Sequence, residues 1–283
     1  MTVAVITVVH GRRAHLAQQD AGLVRSTRLP DSHVVVAMDD PGIHSIQRRE
    51  VPRQVVAVPA DGPRLPLARA RNIGAQTAIA QGADVLVFLD VDCIPSPGMI
   101  EAYERAATDP VTCRDLLCGP VTYLPPPPAG GYDLERLSEL RDPHPARPAP
   151  PEGEVIRDDS SYQLFWSLSF ALTPDTWFDI GGFDEVYVGY GAEDTDFARR
   201  AQTAGTMLTW VGGAEAYHQH HPVSSPPVEH VTDIVRNANL FHDRWGDWPM
   251  RGWLDAFEHD GLVRRGMDGA YEVATSTAVA TSR

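Results

Sequence analysis

Two carboxylates, Asp90 and Asp92, close an unbroken apolar run in the stretch VLVFLDVD. In an extended chain residues i and i+2 face the same way, so both carboxylates address one point. Hard oxygen donors of this kind suit Mg²⁺ or Mn²⁺ and leave positions open for a diphosphate. A lone D-x-D can equally be a strand end capped by two solvated aspartates; its place directly after VLVFL favours the metal. Downstream, His218-Gln219-His220-His221 follows another apolar stretch. His218 and His220 again stand at i and i+2, and imidazole suits Mn²⁺ better than Mg²⁺. Asp92 with His218 or His220 is therefore the candidate ligand set, His218 being nearer the strand. Glu193-Asp194 opens a predicted helix, whose N-terminus favours a carboxylate. In a cleft such a group can take the proton of an attacking hydroxyl. N-capping alone also explains an acidic pair there, but Gly181-Gly182 and Gly189-Tyr190-Gly191 suggest backbone passing close to a ligand. Arg69-Ala70-Arg71-Asn72 lies on a predicted helix from which an Arg can reach a phosphate or a base edge.

These groups need a scaffold that brings them to one edge. Val3–Val9, His33–Met38, Gln54–Val58 and Val85–Leu89 are β-branched or apolar runs without polar alternation, as in strands covered on both faces. A polar segment after His10-Gly11 and the stretch Pro66–Ala80 read as helices between them, Gly82 lying where a C-terminal cap would. Strand, helix, strand from the first residues predicts a doubly wound sheet. Ligands of such sheets sit beyond the carboxyl ends of the strands, where His10, Asp39, Asp40, Asp90 and Asp92 all fall. Residues 124–153, with PPPP and RDPHPARPAPPEG, read as a long mobile loop holding a short helix near Leu134–Leu140. Tyr162–Leu172 reads as a strand, Glu193–Gly205 as a helix, Met207–Val211 as a strand. Val228–Trp245 carries one apolar helical face. A principal domain over 1–222, a helical extension over 223–270 and a disordered tail over 271–283 follow from this pattern.

The bulk composition narrows the partners. All 24 basic residues are Arg and the formal net charge is −14, which leaves no basic face to displace the counterions of a nucleic acid or to dock on anionic lipid. Three scattered cysteines make no disulfide framework. The apolar run at the N-terminus lacks the basic flank of a signal peptide, and no stretch reaches the ~18–20 apolar residues that span a bilayer. A cytoplasmic protein with no stable membrane insertion is expected.

The order of these motifs resembles the family-2 glycosyltransferases and their relatives with a galactosyltransferase-type C-terminal motif. The matching pieces are ITVVHGR, VVVAMDD, ARARNIGA, FLDVDCIPSPG and GGFDEVYVGYGAEDTDFARR, spread over about residues 1–222. The resemblance implies a GT-A fold: an α/β domain with a mixed, mostly parallel sheet and helices on both faces. It implies a metal-dependent transfer, with Mn²⁺ or Mg²⁺, of a sugar from a UDP-sugar to an acceptor hydroxyl with inversion. His10, Arg12, Asp39, Asp40, Arg71, Asn72, Asp90 and Val91 would then hold the nucleotide. Asp92 with His218 or His220 would hold the metal, and Asp194 would be the base. Trp166, Gly182, Asp184, Tyr190 and Glu193 would line the acceptor or donor-sugar side. Tyr190 and Ala192 stand where the galactosyltransferase relatives carry Trp and Gly, which bears on the identity of the sugar. Three other readings compete: a retaining transferase on the same fold, a sugar-phosphate nucleotidyltransferase, and a non-catalytic nucleotide-sugar-binding module. His10-Gly11-Arg12-Arg13 is a poor glycine-rich phosphate loop, and the coincidence of carboxylates, His and Glu-Asp argues against a mere binding module.

Overall fold

A computed structural model of the chain describes residues 1–45, 50–60, 62–222 and 224–274. The elements begin with β1 (Val3–Val9), α1 (Arg13–Val24), β2 (Ser32–Met38), β3 (Arg53–Val58), α2 (Leu67–Ala80) and β4 (Val85–Leu89). Then come β5 (Cys93–Pro95), α3 (Met99–Thr108), β6 (Leu116–Cys118), β7 (Val121–Tyr123), β8 (Val155–Asp158), β9 (Ser169–Leu172), α4 (Pro174–Ile180) and α5 (Glu193–Thr203). The chain continues through β10 (Leu208–Val211), β11 (Ala216–His218), α6 (Val231–Trp245), α7 (Arg251–His259), β12 (Val263–Arg265) and β13 (Tyr271–Val273).

Eight strands form one sheet in the order β3-β2-β1-β4-β9-β6-β10-β8. β1 to β4 run parallel, β9 is antiparallel to both its neighbours, and β8 is an antiparallel edge. Every residue of β1 and β4 is buried, as continuous apolar runs require when both faces are covered. Alternation divides them. Ile6, Leu86 and Phe88 face the layer with α2 and α5, while Val5, Val85 and Val87 face α3. α2 lies so close to β1 that a Cβ on Gly74 would come within 2.5 Å of the Ile6 side chain, so only glycine fits there without displacement.

A second sheet has the order β5-β11-β7. β5 leaves directly from Asp92, and its antiparallel register sets His218 opposite Cys93. This small sheet brings Asp92 and His218, distant in the chain, together.

Several local expectations shift. Tyr162–Leu164 is a single 3₁₀ turn, and only Ser169–Leu172 is strand. The bend lets Tyr162 donate to the Thr206 carbonyl at 2.6 Å and buries Phe165 against Phe170. The helix expected at Val228 begins as a 3₁₀ turn and becomes α-helical at Val231. Within 124–153 the helix is a 3₁₀ turn, Leu137–Leu140, and the segment is anchored: Leu124 and Leu137 pack with Ile94 and Tyr217. The tail expected to be disordered from 271 begins instead with β13, which pairs with β12 and buries Tyr271 against Leu254 and Phe257; residues 275–283 lie outside the described residues. Among the described residues no helix is long and apolar enough to cross a membrane.

Candidate active site

Asp92 leaves the end of β4, and His218 ends β11 beside it. His218 Nε2 lies 3.6 Å from Asp92 Oδ1, and His221 Nε2 lies 3.3 Å from Asp92 Oδ2. Ligand atoms of Asp92, His218 and His221 fall within 4.8 Å of one another. The third member is thus His221, not His220. His220 is exposed, and its backbone N–H donates to the Tyr132 hydroxyl at 3.0 Å. The strand ends at His218, so the alternation that pairs i with i+2 no longer applies, and the turn carries i+3 inward. Backbone bonds fix this arrangement: Gln219 N–H donates to the Asp92 carbonyl at 2.7 Å, and its side chain to the His15 carbonyl at 3.1 Å.

The Arg12 guanidinium, on a residue with φ of 47°, sits 3.3 Å from Asp92 Oδ2. Burial pushes the Asp92 carboxyl up, but His221, His218 and Arg12 together hold it below the usual carboxylate range. Burial depresses His218, with Asp92 pulling the other way, which favours the neutral imidazole that a metal needs. One ionised carboxylate and two imidazoles converging on one point fit a divalent transition ion by donor chemistry.

A second acidic group lies behind the first. Arg71, only 4% exposed, donates to Asp90 Oδ1 and to Glu193 Oε1, each at 3.2 Å. Expected at the nucleotide, Arg71 is turned inward, because the buried carboxylates it joins need a counter-charge. Burial pushes Asp90 up to about 6, Arg71 opposing and Asp92 and Asp194 adding. Burial and then Asp194 push Glu193 up to about 7 against Arg71. Asp194 is also raised, by burial, with Arg71 and the bonds from Thr195 opposing; Thr195 N–H donates to its Oδ1 at 2.7 Å. Carboxylates tuned upward in a cleft are general-base candidates.

Asn72 is also engaged inside the protein. Its amide donates to the Phe183 carbonyl and to Glu185, and its Oδ1 accepts from Phe183 N–H, all at 2.9 Å. Val91 is 7% exposed and packs with Val9, Leu16 and Ala37, so its side chain belongs to the core. At the sheet edge His10 Nδ1 contacts the Met38 carbonyl at 2.8 Å. Asp40 is held by Gly11 N–H, Arg13 and Gly42 N–H, whereas Asp39 is exposed with φ of 46°. Arg12 and Arg13 are thus paired with Asp92 and Asp40 and form no open basic phosphate loop.

On the other side, Trp166 is half-buried, edge-on to His144 at 4.9 Å, with Arg147 5.1 Å from its ring centre. Gly182 offers its carbonyl to Arg200 at 2.7 Å with φ of 70°. Asp184 accepts from Val186 N–H and pairs with Arg244, so it is tied into the fold. Tyr190 is 38% exposed and stacks on His230 at 4.5 Å.

Besides His221, sequence reasoning missed Gln19. It is fully buried on α1, accepts from Thr7 at 2.9 Å, and donates to the Asp90 carbonyl at 2.7 Å and the Cys93 carbonyl at 3.1 Å. It braces the Asp90–Asp92 turn from behind. The available signal was a pair of polar residues, Gln19 and Asp20, between Leu16 and Leu23 on the apolar side of α1.

Residues 154–222 match the family model described as the N-terminal domain of galactosyltransferase. Two relatives are validoxylamine A glucosyltransferases, of Streptomyces hygroscopicus subsp. limoneus and of subsp. jinggangensis (strain 5008). Each is 27% identical over 270 residues that cover 84% of this chain. The chain spans less than two thirds of their length, 56% and 60%. S. aureus TarS 1-349 in complex with UDP-GlcNAc superposes with a TM-score of 0.55 at 13% identity, over 84% of this chain and 66% of that one. GalNAc-T7 with UDP, GalNAc and Mn²⁺ gives 0.55 at 16% identity, over 92% of this chain and 54% of that one. The fold is that of the GT-A glycosyltransferases.

Proposed function

We propose that this chain is a metal-dependent, inverting glycosyltransferase that moves a sugar from a UDP-sugar to an acceptor hydroxyl. The observation that carries this reading is the juxtaposition at one sheet edge of the Asp92–His218–His221 cluster with Asp90 and Glu193, which Arg71 bridges, and with Asp194 next to Glu193. Asp92, His218 and His221 would hold Mn²⁺ or Mg²⁺, which when bound offsets charge on the departing diphosphate. Asp194 accepts the proton of the acceptor hydroxyl as its oxygen bonds to the anomeric carbon and the bond to the diphosphate oxygen breaks. Glu193 and Asp90 keep Arg71 in place; burial raises the Asp194 carboxyl and so makes it more basic, and the Arg71 cation opposes that rise. The relatives named as glucosyltransferases and the neighbour holding UDP-GlcNAc support the donor class. The test is a panel of UDP-sugars incubated with Mn²⁺ and mixed hydroxyl acceptors. Metal-dependent UDP release is expected from at least one donor; silence across the panel sinks the reading.

Asp39 is the base-selecting carboxylate in this reading, since Asp40 is already occupied. It can accept the imide N–H of uracil, and cytosine offers no donor there. A hydrogen bond to a charged group contributes about 1.5–3 kcal/mol, so Asp39→Ala should weaken UDP roughly 10–100-fold and erase a preference over CDP. Calorimetry with both nucleotides checks it; a parent that binds UDP and CDP alike contradicts the assignment.

The acidic limb of the pH–rate profile is set by the Arg71 cluster. A base works ionised, so turnover should fall as pH drops through the pKa of Asp194, which burial raises above the usual carboxylate range. Arg71 lowers Asp90, Glu193 and Asp194 alike. Arg71→Leu removes that cation and should therefore move the limb to higher pH, by ~1–3 units. A limb that stays, or moves to lower pH, would separate Arg71 from the base.

A further inference from the structure

Glu193 and Asp194 follow a turn, 186–192, whose backbone has little reason of its own to hold one shape. Gly189 and Gly191 have φ of 78° and 94°, and Ala192 has φ of 71°, a region that costs a residue with a Cβ. The support comes from α6. Asn237, fully buried, shares the two N–H groups of its amide among three carbonyls of the turn, those of Val188 at 3.2 Å, Tyr190 at 3.2 Å and Gly191 at 2.9 Å. Its own Oδ1 accepts from Arg236 at 2.7 Å, which fixes the amide's orientation. Arg236 also donates to the carbonyls of Val186 at 2.9 Å and Val188 at 3.3 Å. The approach is close: a Cβ on Gly189 would lie 2.2 Å from an Asp233 carboxylate oxygen, and one on Gly191 would lie 2.9 Å from the Met250 sulfur. Asp233 is itself held by Arg64 at 2.7 Å.

We infer that Asn237, oriented by Arg236, is a positioning residue that clamps the 186–192 turn and thereby sets Asp194 against the reacting hydroxyl. α6 is thus part of the reaction apparatus although it lies beyond the Glu193-Asp194 motif. Asn237 touches neither the donor-side cluster nor Asp194 itself; it acts through the carbonyls of Val188, Tyr190 and Gly191. A misplacement of about 1 Å in a reacting group can cost roughly 10²-fold in rate.

For its rate readout the inference rests on the proposed transferase activity; for its exchange readout it does not. The experiment uses the full chain as parent, Asn237→Ala, Arg236→Ala and a matched control, Asn239→Ala. Asn239 lies two residues on in α6, and its amide bonds the Tyr271 backbone at 2.8 and 2.9 Å without touching the turn. Each protein is assayed well below its melting temperature for UDP affinity with Mn²⁺, kcat per UDP-binding site, and amide exchange over 186–195. Asn237→Ala should keep UDP affinity within about threefold, lose on the order of 10²-fold in kcat, and speed exchange in the turn by roughly tenfold or more. Asn239→Ala should lower the melting temperature and move neither readout. Parental kcat per site, or unchanged exchange, in Asn237→Ala overturns the inference. Should Asn237→Ala fail to fold, half-buried Arg236→Ala decides it, with a kcat loss of about tenfold expected and a parental value overturning it. If the parent releases no UDP from any donor, the functional reading falls on that result, and turn exchange alone decides the clamp.

Discussion

Asp194→Asn should bind UDP and Mn²⁺ nearly as the parent does, while turnover falls by ~10²–10⁴-fold, the usual contribution of a positioned base. Asparagine keeps the shape and the bond from Thr195 but cannot take a proton. The site gives Asp194 the character the role needs. Burial raises its pKa, making it a stronger base, and Arg71 limits the rise, so that it loses its proton at a lower pH than burial alone would allow. A helix cap makes the opposite forecast. Asn caps about as well as Asp, so stability and turnover would both survive. Steady-state kinetics beside a thermal melt distinguishes the two. Near-parental turnover would remove Asp194 and leave Glu193, or a retaining reaction without such a base.

Withdrawing the divalent ion with EDTA should weaken UDP by ~10²–10³-fold. At 4 Å and an effective dielectric constant of 20, one charge pair is worth about 4 kcal/mol, close to three decades of affinity. Removing Asp92, His218 or His221 should have the same effect through lost Mn²⁺ affinity, and His220→Ala should have none. That contrast is specific to this structure, since His221 lies 3.3 Å from Asp92 and His220 is exposed. The pH sign follows from the ligands: neutral imidazole and ionised carboxylate bind, so Mn²⁺ affinity should fall as pH falls. Calorimetric titration of UDP with and without Mn²⁺, on the four variants, is the measurement. Equal UDP affinity in EDTA, or a loss in His220→Ala matching that in His221→Ala, would dismantle this ligand set.

Both predictions start from motifs visible in the chain, but they draw on different kinds of information. The Asp90–Asp92 pair could be read directly, because its geometry follows from the two-residue period of a strand that runs straight into it. Asp194 was legible for a similar local reason: glycines, then acidic residues, then a helical pattern. Arg71 was noticed, but its bonds to two carboxylates were not. Its bond to Asp90 spans 19 residues and its bond to Glu193 spans 122, and no local pattern reports on the second.

The sequence by itself determined the doubly wound core and the placement of acidic groups at its carboxyl edge. Each of these rests on composition or on periodicity within a dozen residues, and burial on both faces of β1 and β4 leaves such apolar runs few alternatives. Only the tertiary structure decided that His221 joins Asp92 in place of His220, because β11 ends at His218 against β5 and the chain then turns off the strand period. Only the tertiary structure turned Arg71 inward, since a buried cation goes to the carboxylates that burial leaves without water. It also joined α6 to the glycine turn. Asn237 lies 46 residues from Gly191, and a buried amide finds unpaired carbonyls wherever the packing of the chain presents them.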